Sequence, residues 1–248
     1  YEYRRKKYIF IGVTGSNGKT TVVEMISHLL PLPHLLCGNI GVSVLKKCPL
    51  YKGFRLYIIE ISSFQLHYLQ PMKFHMGVII NIKPNHDEWH GGYENYKKAK
   101  NKLLEFATIK KNYGNILAEE KWTYEDAIIL YKKIPVIPIK NLSLTASHHL
   151  KNITICLEIL EEIFHLFHLP FEASSFTVGI HKFVLPPFRQ QVIHQSKDLI
   201  IINDSKSTNI HSTITALQAF KGGKITLLMG GVLKGDLKDM REFLWAIH

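Results

Sequence analysis

Residues 15–21, Gly15-Ser16-Asn17-Gly18-Lys19-Thr20-Thr21, have the composition of an anion site. The apolar run Tyr8-Ile9-Phe10-Ile11-Gly12-Val13 precedes them, and the periodic run Val22, Val23, Met25, Ile26, Leu29, Leu30 follows. That order reads as strand, glycine loop and helix. Such a loop turns backbone N–H groups and the positive end of a helix toward a phosphate. Lys19 adds a mobile positive charge for the outer phosphates, and a hydroxyl of Thr20 or Thr21 can ligate Mg²⁺. The pattern predicts a nucleoside triphosphate as ligand, against the alternative of an ordinary strand-to-helix turn. The spacing is shortened. Two residues separate Gly15 from Gly18 where the general phosphate-loop pattern has four, and counting from Gly12 gives five.

Other polar clusters follow aliphatic runs. Leu56-Tyr57-Ile58-Ile59 leads into Glu60-Ile61-Ser62-Ser63, and Gly77-Val78-Ile79-Ile80 leads into Asn81 and then Asn85-His86-Asp87. Leu199-Ile200-Ile201-Ile202 leads into Asn203-Asp204-Ser205-Lys206, and Ile225-Thr226-Leu227-Leu228-Met229 into Gly230-Gly231. Near-continuous aliphatic runs are expected of strands buried on both faces. Helical patterns at Tyr93–Phe106 and Leu150–Leu166 separate them. The expected fold is therefore α/β, a doubly wound and mostly parallel sheet. Ligands of such sheets sit beyond the carboxyl ends of the strands, where these clusters fall. Strand and loop are expected over 110–150, and a domain boundary near Pro186-Pro187, giving units 1–185 and 186–248.

Composition narrows the function classes. A chain of 248 residues has room for one or two domains, and its 46% hydrophobic content is that of a globular protein. No apolar run approaches the ~18 residues of a spanning helix, so membrane insertion is not expected. Arg4-Arg5-Lys6-Lys7 before an apolar run imitates a secretory signal, but that run is short and enters the glycine loop. The three cysteines lack metal-ligand spacing and suit a reducing cytoplasm. The net charge of +11 comes from scattered lysines without aromatic–basic alternation, which fits an anionic small substrate or merely a lysine-rich proteome better than nucleic acid.

Taken alone, Glu60 is either a metal ligand or a capping carboxylate, His86 reads as a loop histidine, and Lys100 reads as a surface lysine. A resemblance changes those readings. Thr14-Gly15-Ser16-Asn17-Gly18-Lys19-Thr20 resembles the ATP loop of the Mur ligases, which have the shortened glycine spacing. The finer likeness is to the D-glutamate-adding branch, through Gly38-Asn39-Ile40-Gly41, Glu60-Ile61-Ser62-Ser63-Phe64-Gln65-Leu66, Asn203-Asp204-Ser205-Lys206-Ser207-Thr208-Asn209, and Gly230-Gly231 with Lys234. Sister ligases and folylpolyglutamate synthases share the ATP loop but differ at the later segments. The resemblance runs from about Ile9 to Asp236.

It implies a central P-loop-type ATPase domain followed by the start of a Rossmann-like domain. A preceding UDP-binding domain and most of the third domain would lie outside this chain, which is expected to be a piece of such an enzyme. The implied reaction joins D-glutamate to UDP-N-acetylmuramoyl-L-alanine at the expense of ATP, through an acyl phosphate, in the bacterial cytoplasm. The protein is expected to be monomeric, with ATP and Mg²⁺ as cofactors. Carried over by position, residues 15–21 hold the phosphates, with Lys19 on the outer ones and Thr20 helping to hold Mg²⁺. Glu60 and His86 are implied metal ligands, and Lys100 matches a lysine that is carbamylated into an anionic ligand. Asn152 is implied on the adenine side, Arg189 at the γ-phosphate and Asp204 at the ribose. Asn39, Ser62, Lys206, Thr208 and Lys234 are implied contacts of the acyl and amino-acid substrates.

The chain also departs from the family pattern. Asn85-His86-Asp87-Glu88 shifts an acidic position, and His148-His149 stands where His-Asn is usual. Phe188-Arg189-Gln190 stands where His-Arg is followed by an acid, and Val232-Leu233-Lys234 replaces a glycine-rich turn. These departures weaken the case for full activity, and residues 1–248 alone, without a UDP-binding domain, are expected to bind Mg–ATP without ligating.

Overall fold

β1 (Ile9–Thr14) forms the centre of the molecule because its apolar side chains pack toward both faces of a sheet. The computed structural model describes residues 8–43, 56–114, 147–220, 224–231, 241 and 243. The other strands of the main sheet are β2 (His34–Gly38), β3 (Leu56–Glu60), β4 (Phe74–Ile79) and β5 (Ala107–Asn112). Their spatial order is β2-β3-β1-β4-β5, and each neighbouring pair is parallel. Val13 registers with Glu60 on one side and with Val78 on the other. The loops after β1, β3 and β4 therefore open on one edge, beside the point where the strand order reverses.

Helices cover both faces. α1 (Lys19–Leu29) and α5 (Ser147–Leu166) pack with Ile11, Val13, Ile58 and Val78 in the larger core. α2 (Ser63–Tyr68) and α4 (Tyr93–Glu105) supply Leu66 and Leu103 to the opposite core, against Tyr57, Ile59 and Phe74. The short α3 (Asp87–His90) leads into α4. Among the described residues β5 is the last strand of the order, and its Lys111 is ion-paired with Glu162 of α5 at 2.7 Å. Among the described residues, no helix is long and apolar enough to cross a membrane.

A 3₁₀ turn (Ala173–Phe176) and α6 (Thr177–Lys182) follow α5, after which the chain passes Pro186-Pro187. Here the structure corrects two expectations. Leu199–Ile202 is not a strand buried in a parallel sheet. It forms β7 (Ile200–Asn203), antiparallel to β6 (Gln191–Gln195), with Leu199, Ile200 and Ile201 exposed. Ile225–Met229 forms no regular secondary structure and is also exposed. An aliphatic run becomes a doubly buried strand only where two layers cover it, and the described residues supply no such layers here. α7 (Ile210–Ala219) follows, opened by a capping box in which Asn209 and Ser212 exchange side-chain and backbone hydrogen bonds. Of the 110–150 segment, the structure describes the end of β5 and the start of α5, and 115–146 lie outside the described residues.

Candidate functional site

The glycine loop runs from Gly15 to Gly18, with Gly12 inside β1. Gly18 has φ +84, and a Cβ there would meet Asn152 Oδ1 at 2.8 Å. Glycine answers both demands, the left-handed turn and the close approach of α5. Asn81, at the end of β4, ties the loop down. Its backbone carbonyl and Oδ1 both accept from Ser16 N–H (3.0 and 3.1 Å), Oδ1 accepts from Asn17 N–H (3.0 Å), and Nδ2 donates to Asn17 O (3.1 Å). Ser16 Oγ is paired with Tyr96 OH at 2.8 Å and with the backbone of Lys83. Ser16 is thus a strut of the loop, and the first turn of α1 is left to offer its N–H groups outward.

Two lysine amines converge on one carbonyl. Lys19 Nζ donates to Gly15 O at 2.8 Å and to Ser16 O at 3.1 Å. Lys100 Nζ donates to Gly15 O at 2.9 Å and lies 4.7 Å from the centre of the Tyr96 ring. Lys100 is 1% exposed. Burial, with the nearby Lys19 charge adding to it, pushes its pKa down to about 6. Burial also lowers Lys19, opposed by Glu60 and reinforced by Arg189. Arg189 adds a guanidinium, its Nη2 donating to Thr20 Oγ1 at 3.2 Å. Desolvation and mutual repulsion of these basic groups would be relieved by an anion among them.

Glu60 ends β3 beside the loop and is buried. Oε1 accepts from Asn39 Nδ2 at 2.9 Å, and the buried Oε2 has no hydrogen-bond partner among the described residues. An orphaned carboxylate oxygen next to a phosphate loop is a fitting oxygen ligand for Mg²⁺. Thr20, at the start of α1, carries a hydroxyl at the same edge, its Oγ1 accepting from Arg189 Nη2. Among the described residues, no group of three His, Cys, Asp or Glu side chains forms a metal cluster. The ring of the exposed His86 stands edge-on to Phe64 at 4.9 Å, while His90 is the buried histidine, 3.1 Å from Ser63 Oγ.

The remaining expected site residues fall in several places. Thr21 is buried beneath the loop, and Asn152 faces Gly18. Asn39 is bonded to Glu60, and Ser62 caps α2, its Oγ accepting from Gln65 N–H. Asp204 Oδ1 accepts from Gln190 N–H at 3.0 Å. Lys206 and Thr208 are exposed in the turn after β7, and Lys234 lies outside the described residues. Tyr96 was missed in the sequence, and Asn81 and Gln190 were given no part in the site there. Tyr96 precedes Lys100 by one helical turn, a spacing that puts both on one face and could have exposed it. Asn81 was visible only as a polar residue after an aliphatic run.

Arg189 sits between two non-glycine residues in the left-handed region, Phe188 (φ 65) and Gln190 (φ 44). Each such residue costs about 1–3 kcal/mol unless its surroundings fix it. Here they do. Phe188 N–H donates to Gln191 Oε1, and Phe188 O accepts from Lys206 N–H. The Gln190 side chain bridges His149 Nε2 and His148 Nε2, at 3.2 Å each.

Burial pushes the His149 pKa down to about 4, with Arg189 adding to the effect and the Gln190 hydrogen bond opposing it. The folded state therefore binds fewer protons than the unfolded one between about pH 4 and pH 6.5. Its stability is full above that window and falls as pH drops through it. His149→Gln is expected to flatten the acid side of the stability profile by up to about 1.4 kcal/mol per pH unit. Denaturant melts of both proteins between pH 4 and 7 would show this, and identical pH slopes would contradict it.

A model of the Mur ligase middle domain matches residues 13–159. The UDP-N-acetylmuramoylalanine--D-glutamate ligase of Francisella tularensis subsp. tularensis (strain WY96-3418) is 32% identical over 243 residues, 95% of this chain and 56% of the relative. That of subsp. novicida (strain U112) is 34% identical over 244 residues, 95% of this chain and 57% of the relative. The chain thus spans about half the length of the curated relatives it matches. Among solved structures, MurF from Acinetobacter baumannii is similar with a TM-score of 0.61 at 18% identity, covering 90% of this chain and 56% of that one. MurF ligase from Thermotoga maritima, in complex with ADP, gives 0.56 at 16% identity, covering 87% and 58%. At these identities the structural likeness is one of fold.

Proposed function

We propose that this chain, which belongs to the Mur ligase family, carries the ATP-using centre of a ligase that adds D-glutamate to UDP-N-acetylmuramoyl-L-alanine in the bacterial cytoplasm, releasing ADP. The observation that carries the ATP site is the convergence of Lys19 and Lys100 on Gly15 O, with Arg189 at Thr20 and the orphaned Glu60 oxygen beside them. The choice of D-glutamate rests on identity to D-glutamate ligases across 95% of the chain.

Each residue answers a demand of phosphoryl transfer to a carboxylate, which is chiefly positioning and charge neutralisation. Lys19 exchanges the loop carbonyls for the outer phosphates. The N-terminal turn of α1 donates to the phosphate oxygens. Glu60, Thr20, His86 and a carbamylated Lys100 would hold Mg²⁺, which supplies a counter-charge to the phosphates when bound. A pKa of about 6 leaves the Lys100 amine largely neutral at pH 7, the form that can take up CO₂. Arg189 would reach the phosphates from beyond Pro187, so its contribution depends on how the turn that carries it sits against the loop. Asn152 and Asp204 face the nucleoside, while Asn39, Ser62, Lys206, Thr208 and Lys234 serve the acyl and amino-acid substrates.

Amide formation by the natural gene product, with D-glutamate, L-glutamate and meso-diaminopimelate in competition, tests the acceptor. D-glutamate is expected to be incorporated preferentially, and preference for either competitor would contradict this reading in favour of a sister ligase. Residues 1–248 alone are expected to bind Mg–ATP without forming the dipeptidyl product. Product formed by these residues alone would contradict that expectation.

A further inference from the structure

We infer that Gln190 is the positioning residue for Arg189: its buried amide, shared between His148 and His149 of α5, locks the turn that carries the guanidinium to the phosphate loop. This rests on the nucleotide reading above and adds to it a residue that the family pattern does not supply.

The two places where the chain departs from that pattern, His148-His149 and Phe188-Arg189-Gln190, touch each other in the fold. Gln190 is 5% exposed. Its Oε1 accepts from His149 Nε2–H and its Nε2 donates to the His148 Nε2 lone pair. An amide has one accepting and one donating end, so one imidazole must present an N–H and the other a bare nitrogen. The two neutral rings lie 3.9 Å apart, and burial disfavours protonation of either. Gln190 N–H meanwhile holds Asp204 Oδ1, at the end of β7.

Gln190 is therefore gripped at three points, by two histidines of the central unit and by one carboxylate from the segment after the boundary. Its backbone is left-handed, a conformation the side chain would not hold unaided. Arg189, the residue before it, then has little freedom, and its Nη2 falls on Thr20 Oγ1 at 3.2 Å. A loosened turn would leave the loop and adenine side intact but let the guanidinium drift from the terminal phosphate.

The test is ATP and ADP affinity, in the presence of Mg²⁺, for the 248-residue chain and four variants: Arg189→Ala, Gln190→Met, Gln190→Glu and the double variant Arg189→Ala/Gln190→Met. Met keeps the shape of Gln190 without its hydrogen bonds, while Glu accepts from both histidines as N–H tautomers. The expected result is that Gln190→Met loses ATP-over-ADP preference by about tenfold, as Arg189→Ala does. ADP affinity should be retained, the double variant should be no worse than Arg189→Ala, and Gln190→Glu should keep the preference. A merely structural role would lower thermal stability and weaken both nucleotides alike, and that result overturns the inference. So does a Gln190→Met variant that keeps its ATP preference. If the unmodified chain binds neither nucleotide, the functional reading itself fails and takes this inference with it.

Discussion

Replacing Lys19 by alanine is expected to weaken ATP binding by about 10- to 100-fold, the range of one or two charge-assisted hydrogen bonds to phosphate. The structure holds this side chain on Gly15 O and Ser16 O, two neutral carbonyls that a phosphate would outcompete for the amine. Burial lowers its pKa, and the Arg189 charge adds to that, so the free chain holds a poorly solvated amine here. Removing it should therefore leave the thermal stability of the free chain no lower than before. Loss of binding without loss of stability separates a ligand-seeking lysine from a structural one. Titration calorimetry with ATP and thermal melts of both proteins provide the check. Unchanged ATP affinity would mean that residues 15–21 are an ordinary strand-to-helix turn.

Gly38→Ala is expected to be the more damaging change to the fold, at about 2–4 kcal/mol. A Cβ at this position would lie 2.2 Å from the backbone oxygen of Glu60, on a residue with φ +101. The oxygen it meets cannot swing away. It accepts Asn39 N–H at 2.8 Å, and Gly38 is registered with Glu60 across the parallel β2–β3 pair. Relief requires the ends of both strands to separate, and Glu60 moves with them. For a chain of this size the stability loss corresponds to a fall in Tm of roughly 5–15 °C. The variant should also lose Mg²⁺ dependence of nucleotide binding, because the displaced residue is the candidate ligand. A Tm within a degree or two of the unmodified chain would contradict the placement of Gly38 against Glu60.

The phosphate loop was legible in the sequence because its parts are adjacent: an apolar run, two glycines, a lysine and two threonines. The parallel sheet was legible where aliphatic runs alternate with helical periods, as at β1, β3 and β4. The same signal misled at Leu199–Ile202, because a continuous apolar run reads alike for a buried parallel strand and an exposed antiparallel one. The supports of the loop were less visible for a different reason. Asn81 and Tyr96 reach Ser16 from 65 and 80 residues away, and no local spacing encodes such a meeting. Gln190 was noticed as a departure from a pattern, but its contact with His148 and His149 is a property of the folded chain. His86 was singled out only through the motif it belongs to, and its edge-on contact with the Phe64 ring is a property of the folded chain that no local spacing encodes.

The measurement that bears most directly on the site is a crystal structure of residues 1–248 with Mg²⁺ and a non-hydrolysable ATP analogue. The phosphates are expected on the N-terminal turn of α1, with Lys19 Nζ released from Gly15 O, Glu60 Oε2 facing the metal ion and Arg189 at the terminal phosphate. An analogue bound elsewhere, with Lys19 still on Gly15 O and Ser16 O, would contradict the assignment of this loop as the nucleotide site.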